Sequence, residues 1–132
     1  MFGLPINRGR LLSDSRKLGV WGERRCEKYL KSKGYRMIAR NFRCALGEID
    51  LVVADGEGRV VFVEVKARRN EDYVRAEMAV NPRKREKIVR TAKYFVKTYG
   101  LDDVPLRFDV VAVVLGKKGK PQIKHFANAF GP

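Results

Sequence analysis

The stretch from Gly47 to Lys66 constrains the fold most, because two apolar, β-branched runs flank a glycine-containing turn in GEIDLVVADGEGRVVFVEVK. Glycines supply the positive φ that short turns require, so this pattern predicts a β-hairpin. A three-residue loop over Gly56–Gly58, with a glycine last, is a common type, and we adopt it. It places Asp50 opposite Glu64, whereas a two-residue loop would send the two carboxylates to opposite faces of the sheet.

Charged residues interrupt both strands of this hairpin, although strands this apolar are typical of a sheet buried on both faces. Side chains alternate along a strand, so Glu64 and Lys66 share a face, and the chosen register adds Asp50 to it. Facing carboxylates raise one another's pKa, and a hard divalent cation removes that repulsion. The pattern therefore predicts that Asp50 and Glu64 bind Mg²⁺ or Mn²⁺.

In this interpretation the metal polarises a phosphodiester, and Lys66 holds the attacking water or offsets charge on the phosphorane. The alternative is a buried ion-pair network of Asp50, Lys66 and Glu64 that only sets the strand register. Such a network is expensive to build and is poor evidence for stability, so the functional interpretation is favoured.

Glu23 is a further catalytic candidate, three residues before Cys26 and seven before Leu30 on the first predicted helix. This spacing puts it on the face that packs on the sheet, where it could bind the metal's outer shell or a second ion. The ordinary alternative is a surface glutamate paired with a neighbouring Arg or Lys.

The charge balance points to a polyanionic partner, since 29 Lys and Arg against 15 Asp and Glu give a net charge of +14. Nucleic acid, with DNA favoured, is the expected partner; an anionic membrane surface is the weaker alternative, because no basic amphipathic helix with exposed Trp or Phe anchors is evident. A helix start also favours anions. The residues predicted to contact nucleic acid are Arg68, Arg83, Lys84, Arg85 and Lys87.

The remaining pattern predicts an α/β chain in the order α-β-β-β-α-β-β, with a mixed sheet of about five strands and helices on both sides. Helices are expected over 16–32, capped by Ser13 or Ser15, and from Asn81 to Gly100, with Tyr99 in the core stripe. The other strands are expected over 35–43, 106–115 and 122–126. A flexible basic arm over 1–15 would precede a single domain over 16–132.

Other chemistries lack the residues they need. Two cysteines form neither a disulfide framework nor a metal-binding spacing, and a single histidine leaves His-based zinc or acid–base chemistry without the partner residues it needs. His125 is expected to be a surface strand residue, and Asp109 a partner of Arg107 or Arg68. No leader and no membrane-spanning run is evident, so a soluble, cytoplasmic protein without membrane association is expected.

The chain resembles the YraN family, a bacterial group related to the PD-(D/E)XK restriction-endonuclease-like nucleases. Six blocks carry the resemblance: GE at 22–23, NFRC at 41–44, GEID at 47–50, VFVEVKAR at 61–68, AVNPRK at 79–84 and RFDVV at 107–111. It implies a restriction-endonuclease-like three-layer α/β/α sandwich. The metal motif of the superfamily falls on Asp50, Glu64 and Lys66, with Glu23 as the helical Glu of the archaeal Holliday-junction resolvases. Ile49 replaces the proline in the motif's name.

We therefore expect a Mg²⁺- or Mn²⁺-dependent endonuclease or nuclease-like protein that acts on DNA phosphodiesters, with branched or damaged DNA as candidate substrates. The alternative is a non-catalytic nucleic-acid-binding protein in DNA repair or ribosome-related assembly. The full set of Glu23, Asp50, Glu64 and Lys66 favours the enzyme, because a pure binder does not need it. DNA versus RNA, the substrate structure and the oligomeric state stay open, a homodimer being one option.

Overall fold

The computed structural model describes residues 14–70, 80–116 and 120–132. Its elements follow the predicted order α-β-β-β-α-β-β. They are α1 (Ser15–Ser32), β1 (Arg36–Cys44), β2 (Gly47–Ala54), β3 (Val60–Arg68), α2 (Pro82–Thr98), β4 (Leu106–Val114) and β5 (Gln122–Phe130). No helix within the described residues is long and apolar enough to cross a membrane.

The five strands form one mixed sheet in the order β1-β2-β3-β4-β5. Only β3 and β4 run parallel, and α2 lies in the connection between them, as a parallel pair requires. Both faces of the sheet carry a buried apolar cluster, one packed under each helix. The cluster under α1 includes Cys26, Leu30, Leu51, Val61, Val63 and Val111. The cluster under α2 includes Val52, Phe62, Ile88, Ala92, Phe95 and Phe108. The predicted three-layer α/β/α sandwich is thereby confirmed.

The hairpin between β2 and β3 has the predicted three-residue loop. Asp55 N donates to Arg59 O at 3.0 Å, and Gly58 adopts a φ of +85°. This positive φ is the conformation for which a glycine is needed at the last loop position. The ladder pairs residues 51–54 with 60–63 in the predicted register.

The ladder between β2 and β3 changes character at Asp50. Backbone pairing ends at Leu51, and Asp50 Oδ2 accepts a hydrogen bond from Val65 N at 2.8 Å. Leu51 packs in the α1 cluster and Ile49 in the α2 cluster, so the usual alternation of side chains is interrupted between them. A carboxylate therefore replaces a backbone rung at the point where the two strands separate.

Three boundary predictions were wrong. The cap of α1 is Asp14 and not a serine, because its Oδ1 accepts from the amides of Arg16 and Lys17 at 3.0 and 3.2 Å. Tyr99 follows the end of α2 and is 59% exposed, so it is not in the core. β5 continues to Phe130 through a bulge. Of the predicted arm, residues 1–13 lie outside the described residues.

Candidate functional site

A cleft at the separating ends of β2 and β3 collects the predicted acid pair. Glu64 alternates with Val60 and Phe62 and so faces α2. It is 7% exposed, and Lys66 Nζ lies 3.2 Å from its Oε2. Asp50 reaches the same cleft from β2. The residues lining it are Ser15, Gly19, Glu48, Asp50, Glu64, Val65, Lys66, Ala67, Arg68 and Lys84.

The start of α2 adds a lysine to this acid pair. Asn81 caps the helix by accepting from Lys84 N at 2.9 Å, and Pro82 occupies the first turn, where its missing N–H is harmless. The Nζ of Lys84 then lies 2.5 Å from Glu64 Oε2. The sequence predicted Lys84 as a phosphate contact only, and its placement beside Glu64 was missed.

The pKa values of the two carboxyl groups are shifted in opposite directions. Burial and the neighbouring charge of Glu64 raise the pKa of Asp50 to about 8, despite the hydrogen bond from Val65 N. Burial also opposes the charge on Glu64, but Lys84 and Lys66 outweigh it and lower the pKa of Glu64. The metal-free site at neutral pH therefore holds a neutral Asp50 beside an ionised Glu64.

The pKa values of the two lysines beside Glu64 are shifted as well. Burial and the ammonium of Lys84 lower the pKa of Lys66, even though Glu64 attracts its charge. For Lys84, hydrogen bonding and attraction to Glu64 outweigh burial and raise the pKa. Two ammonium groups thus share one carboxylate, and this contact favours the charged form of Lys84 more than that of Lys66.

Glu23 approaches this region from the other layer of the fold. Gly22 allows α1 to lie close to β3, since a Cβ there would be 2.7 Å from the Cβ of Ala67. Glu23 lines a neighbouring cleft with Asn41, which hydrogen-bonds its carboxylate. Burial raises the pKa of Glu23, and its charge contributes to the raised pKa of Asp50. Glu23 is therefore an electrostatic neighbour of the acid pair, not a lining residue of its cleft.

A larger basic cleft adjoins the acid pair, between the β1–β2 turn and the first half of α2. The two elements approach so closely that a Cβ on Gly47 would be only 2.9 Å from Thr91 Oγ1. Glu48 and Lys84 line both clefts, so the two clefts are adjacent. The basic cleft is lined by Arg43, Cys44, Gly47, Glu48, Asn81, Arg83, Lys84, Lys87 and Ile88.

The structure thus brings together three of the five predicted nucleic-acid contacts, Arg83, Lys84 and Lys87, in the basic cleft. Arg68 lines the acid cleft, and its Nη1 donates to Ala67 O. Arg85 points elsewhere: its Nε donates to Val80 O at 2.7 Å, and its guanidinium lies over the ring of Phe130. Arg43 was not predicted, because an exposed arginine on an edge strand carries no distinctive pattern.

A second buried acid, Asp109, lies on the α1 side of the sheet. As predicted, Arg107 pairs with it, through Nε and Nη2 at 2.9 and 2.8 Å. His125 was predicted at the surface, which was wrong: it is half-buried, with Nε2 at 2.6 Å from Asp109 Oδ2. Tyr29 Oη lies 3.1 Å from the other ring nitrogen, so the ring has partners on both sides.

The donors of the acid cleft fit a hard divalent cation. In the described part of the chain, no three His, Cys, Asp or Glu side chains form a group that could hold a metal ion. Mg²⁺ commonly binds through only one or two carboxylates and completes its shell with water and substrate phosphate oxygens. Asp50 and Glu64 supply this number of carboxylates, at a place where their mutual repulsion would be relieved.

Comparison with known sequences identifies the family. The family described as "Uncharacterised protein family UPF0102" matches residues 22–113. A UPF0102 protein of Pelotomaculum thermopropionicum is 42% identical over 121 residues, which are 90% of this chain and 100% of the relative. One of Clostridium acetobutylicum is 43% identical over 117 residues, covering 88% and 95%. The chain belongs to this family, in agreement with the resemblance found in the sequence.

Comparison with solved structures finds remote similarities. A repair endonuclease from Pyrococcus abyssi matches 90% of this chain with a TM-score of 0.40 and 16% identity. SfsA of Pyrococcus furiosus in complex with Ca²⁺ matches 86% with a TM-score of 0.34 and 18% identity. The chain spans 42% and 64% of these two structures, less than two thirds of each.

Proposed function

We propose that this UPF0102 protein is a divalent-metal-dependent nuclease that cleaves nucleic-acid phosphodiesters, with DNA as the favoured substrate. The observation that carries the proposal is the acid pair of a half-buried Asp50 and a buried Glu64, which repel one another when both are charged and which line an open cleft. Strongly shifted pKa values in a cleft are typical of functional sites.

Asp50 and Glu64 are the residues that would hold Mg²⁺ or Mn²⁺. When bound, the ion would polarise the scissile phosphodiester and lower the pKa of a coordinated water. Asp50 must lose its proton for this, whereas Glu64 is already ionised in the metal-free protein. Glu23 does not line this cleft, but its negative charge would add to the attraction for a cation.

The lysines and arginines would act on the substrate. Lys66 is only 11% exposed and is fixed beside Glu64, so its ammonium is placed to stabilise charge that develops on the phosphate in the transition state. Arg83 and Lys87, with Arg43 opposite, would hold the flanking phosphates in the basic cleft. Such contacts position a nucleic acid without reading its sequence.

One observation favours the non-catalytic alternative. Lys84 already neutralises Glu64 at 2.5 Å, so the acid pair is partly compensated without a metal. In a protein that only binds nucleic acid, this ion pair would be permanent, and the site would ignore divalent cations.

A cleavage assay separates the two functions. Labelled linear, nicked, flapped and four-way DNA, together with RNA of matched sequence, are incubated with Mg²⁺, with Mn²⁺ and with EDTA. We expect metal-dependent cleavage of at least one DNA that Asp50→Asn and Glu64→Gln abolish. Glu57→Gln is the matched control, since Glu57 is an exposed loop acid paired only with Arg59 at 3.0 Å in the described structure. Cleavage that survives Asp50→Asn, or no cleavage of any substrate, would contradict the proposal.

A further inference from the structure

Lys84 differs from the other cations around the acid pair because it lines both clefts. Its ammonium contacts Glu64, and its side chain also faces the basic cleft beside Arg83 and Lys87. The side chain is 45% exposed, whereas that of Lys66 is 11% exposed and lines the acid cleft. Lys84 therefore has two sets of anions within its reach, the carboxylate and any phosphate bound in the basic cleft.

The contact between Lys84 and Glu64 is also replaceable. Lys66 and Lys84 approach the same oxygen, Glu64 Oε2, at 3.2 and 2.5 Å, so their like charges repel one another. A lysine that is half exposed gains little net free energy from an ion pair, because water competes for its charge. Its long, flexible stem allows the ammonium to move without any change in the backbone.

A divalent cation bound to Glu64 would lie close to the ammonium of Lys84, which contacts the same carboxylate. The cation and the ammonium are both positive, so they compete for the carboxylate or repel one another if both remain. In either case Lys84 opposes metal binding as long as its ammonium stays beside Glu64. A phosphate in the basic cleft offers that ammonium another anion.

We propose that Lys84 couples metal binding to nucleic-acid binding. It neutralises Glu64 in the free protein, and its ammonium transfers to a phosphate in the basic cleft when the metal takes its place. This inference rests on the proposed metal site. Because coupling is reciprocal, nucleic acid would promote metal binding and metal would promote nucleic-acid binding by the same factor. The acid pair would then bind metal mainly when a nucleic-acid substrate is present.

Calorimetric titration with Mn²⁺ in the absence of nucleic acid tests the first half of the proposal. Lys84→Gln should bind Mn²⁺ about fivefold more tightly than the wild type, at the low end of typical coupling factors. Lys84→Arg, which keeps the charge, should stay near the wild type. Lys87→Gln is the matched control, since Lys87 lines the basic cleft alone. Thermal melts check that every variant is folded.

Anisotropy of a labelled DNA duplex tests the second half, with Ca²⁺ as the probe ion and gels to confirm that the duplex stays intact. Ca²⁺ has the same preference for oxygen ligands. Ca²⁺ should raise the DNA affinity of the wild type and of Lys87→Gln by the same factor. In Lys84→Gln that factor should be smaller by about fivefold, equal to its gain in Mn²⁺ affinity.

Three results would overturn the inference. The first is Mn²⁺ affinity in Lys84→Gln that is equal to or weaker than that of the wild type, which would make Lys84 a support of the site. The second is the same metal-dependent gain in DNA affinity in all variants. The third is no Mn²⁺ binding by either the wild type or Lys84→Gln, and only this result would also contradict the proposed function.

Discussion

Two aspartates interrupt the apolar strands of this sheet, and their surroundings differ. Asp109 is fully buried and accepts hydrogen bonds from Arg107 and from the backbone amide of Asn128, with His125 at 2.6 Å. Burial opposes its charge, but these partners outweigh burial and lower the pKa of Asp109. Asp50 accepts a hydrogen bond from Val65 N and faces Glu64, and burial together with the charge of Glu64 raises its pKa to about 8.

This contrast distinguishes an acid that supports the fold from an acid available to a ligand. Buried charges are tolerated when donors surround them, and Asp109 meets that condition. Asp50 is opposed by burial and by a like charge, and it opens to a cleft beside basic residues. Asp109 is fully buried and Asp50 is half-buried, and the identity of their partners separates them further.

Removing the charge of Asp109 should have the largest effect on stability. Asp109→Asn leaves Arg107 and His125 buried without their anion, so we expect a loss of about 3–5 kcal/mol in the free energy of unfolding. Urea denaturation in EDTA measures it. A loss below about 1 kcal/mol, typical of an ordinary substitution, would remove Asp109 from the structural side of the comparison.

Asp50→Asn should behave in the opposite way, and its effect should depend on pH. In the metal-free protein Asp50 keeps its proton up to about pH 8, whereas in the unfolded chain it loses it near 3.8. The unfolded chain therefore binds fewer protons between these values, and wild-type stability falls as pH rises. The decrease relative to Asp50→Asn should approach about 1.4 kcal/mol per pH unit.

Urea denaturation of both proteins in EDTA at pH 5, 6 and 7 measures this difference, and the titrating groups that do not interact with Asp50 cancel because both proteins share them. A wild type that gains stability relative to the variant as pH rises would show that Asp50 is ionised and paired like Asp109.

The smallest change in stability is expected in the basic cleft, which adjoins Asp50. Arg83→Gln and Lys87→Gln should alter the free energy of unfolding by no more than about 0.5 kcal/mol. Each should weaken binding to duplex DNA regardless of sequence. Each should also reduce the slope of the logarithm of the binding constant against the logarithm of the salt concentration by about 1. Arg85→Gln is the control, because Arg85 lies over Phe130 outside the cleft. Equal losses in all three variants would assign binding to overall charge and not to this cleft.

The sequence was informative where local rules decide the outcome. The last glycine of the loop sets the number of loop residues, and that number sets the register of residues 51–54 against 60–63, which brings Asp50 near Glu64. The start of α2 was readable because Asn81 and Pro82 are an N-cap and a first-turn residue. These features depend on neighbours within a few positions along the chain.

Other features depend on contacts that no local pattern contains. Lys84 meets Glu64 only because α2 crosses the sheet at a particular position, and an exposed lysine on a helix has no sequence mark of this. His125 was expected at the surface, but Asp109 and Tyr29 contact it from two other elements, and no local pattern along its own strand shows these partners. The end of β5 was missed because a bulge at Asn128, with a φ of 53°, interrupts the strand just after its predicted end at 126.

Thermal melts of the wild type and Asp50→Asn, each in EDTA and in excess Mn²⁺, test the metal centre most directly. We expect the metal-free variant to melt at or above the metal-free wild type, because the wild type must take up a proton at Asp50 on folding and the asparagine need not. Mn²⁺ should raise the midpoint of the wild type in proportion to the logarithm of its concentration and leave the variant unchanged. A variant that melts far below the metal-free wild type, together with a wild-type midpoint that Mn²⁺ does not raise, would contradict the account.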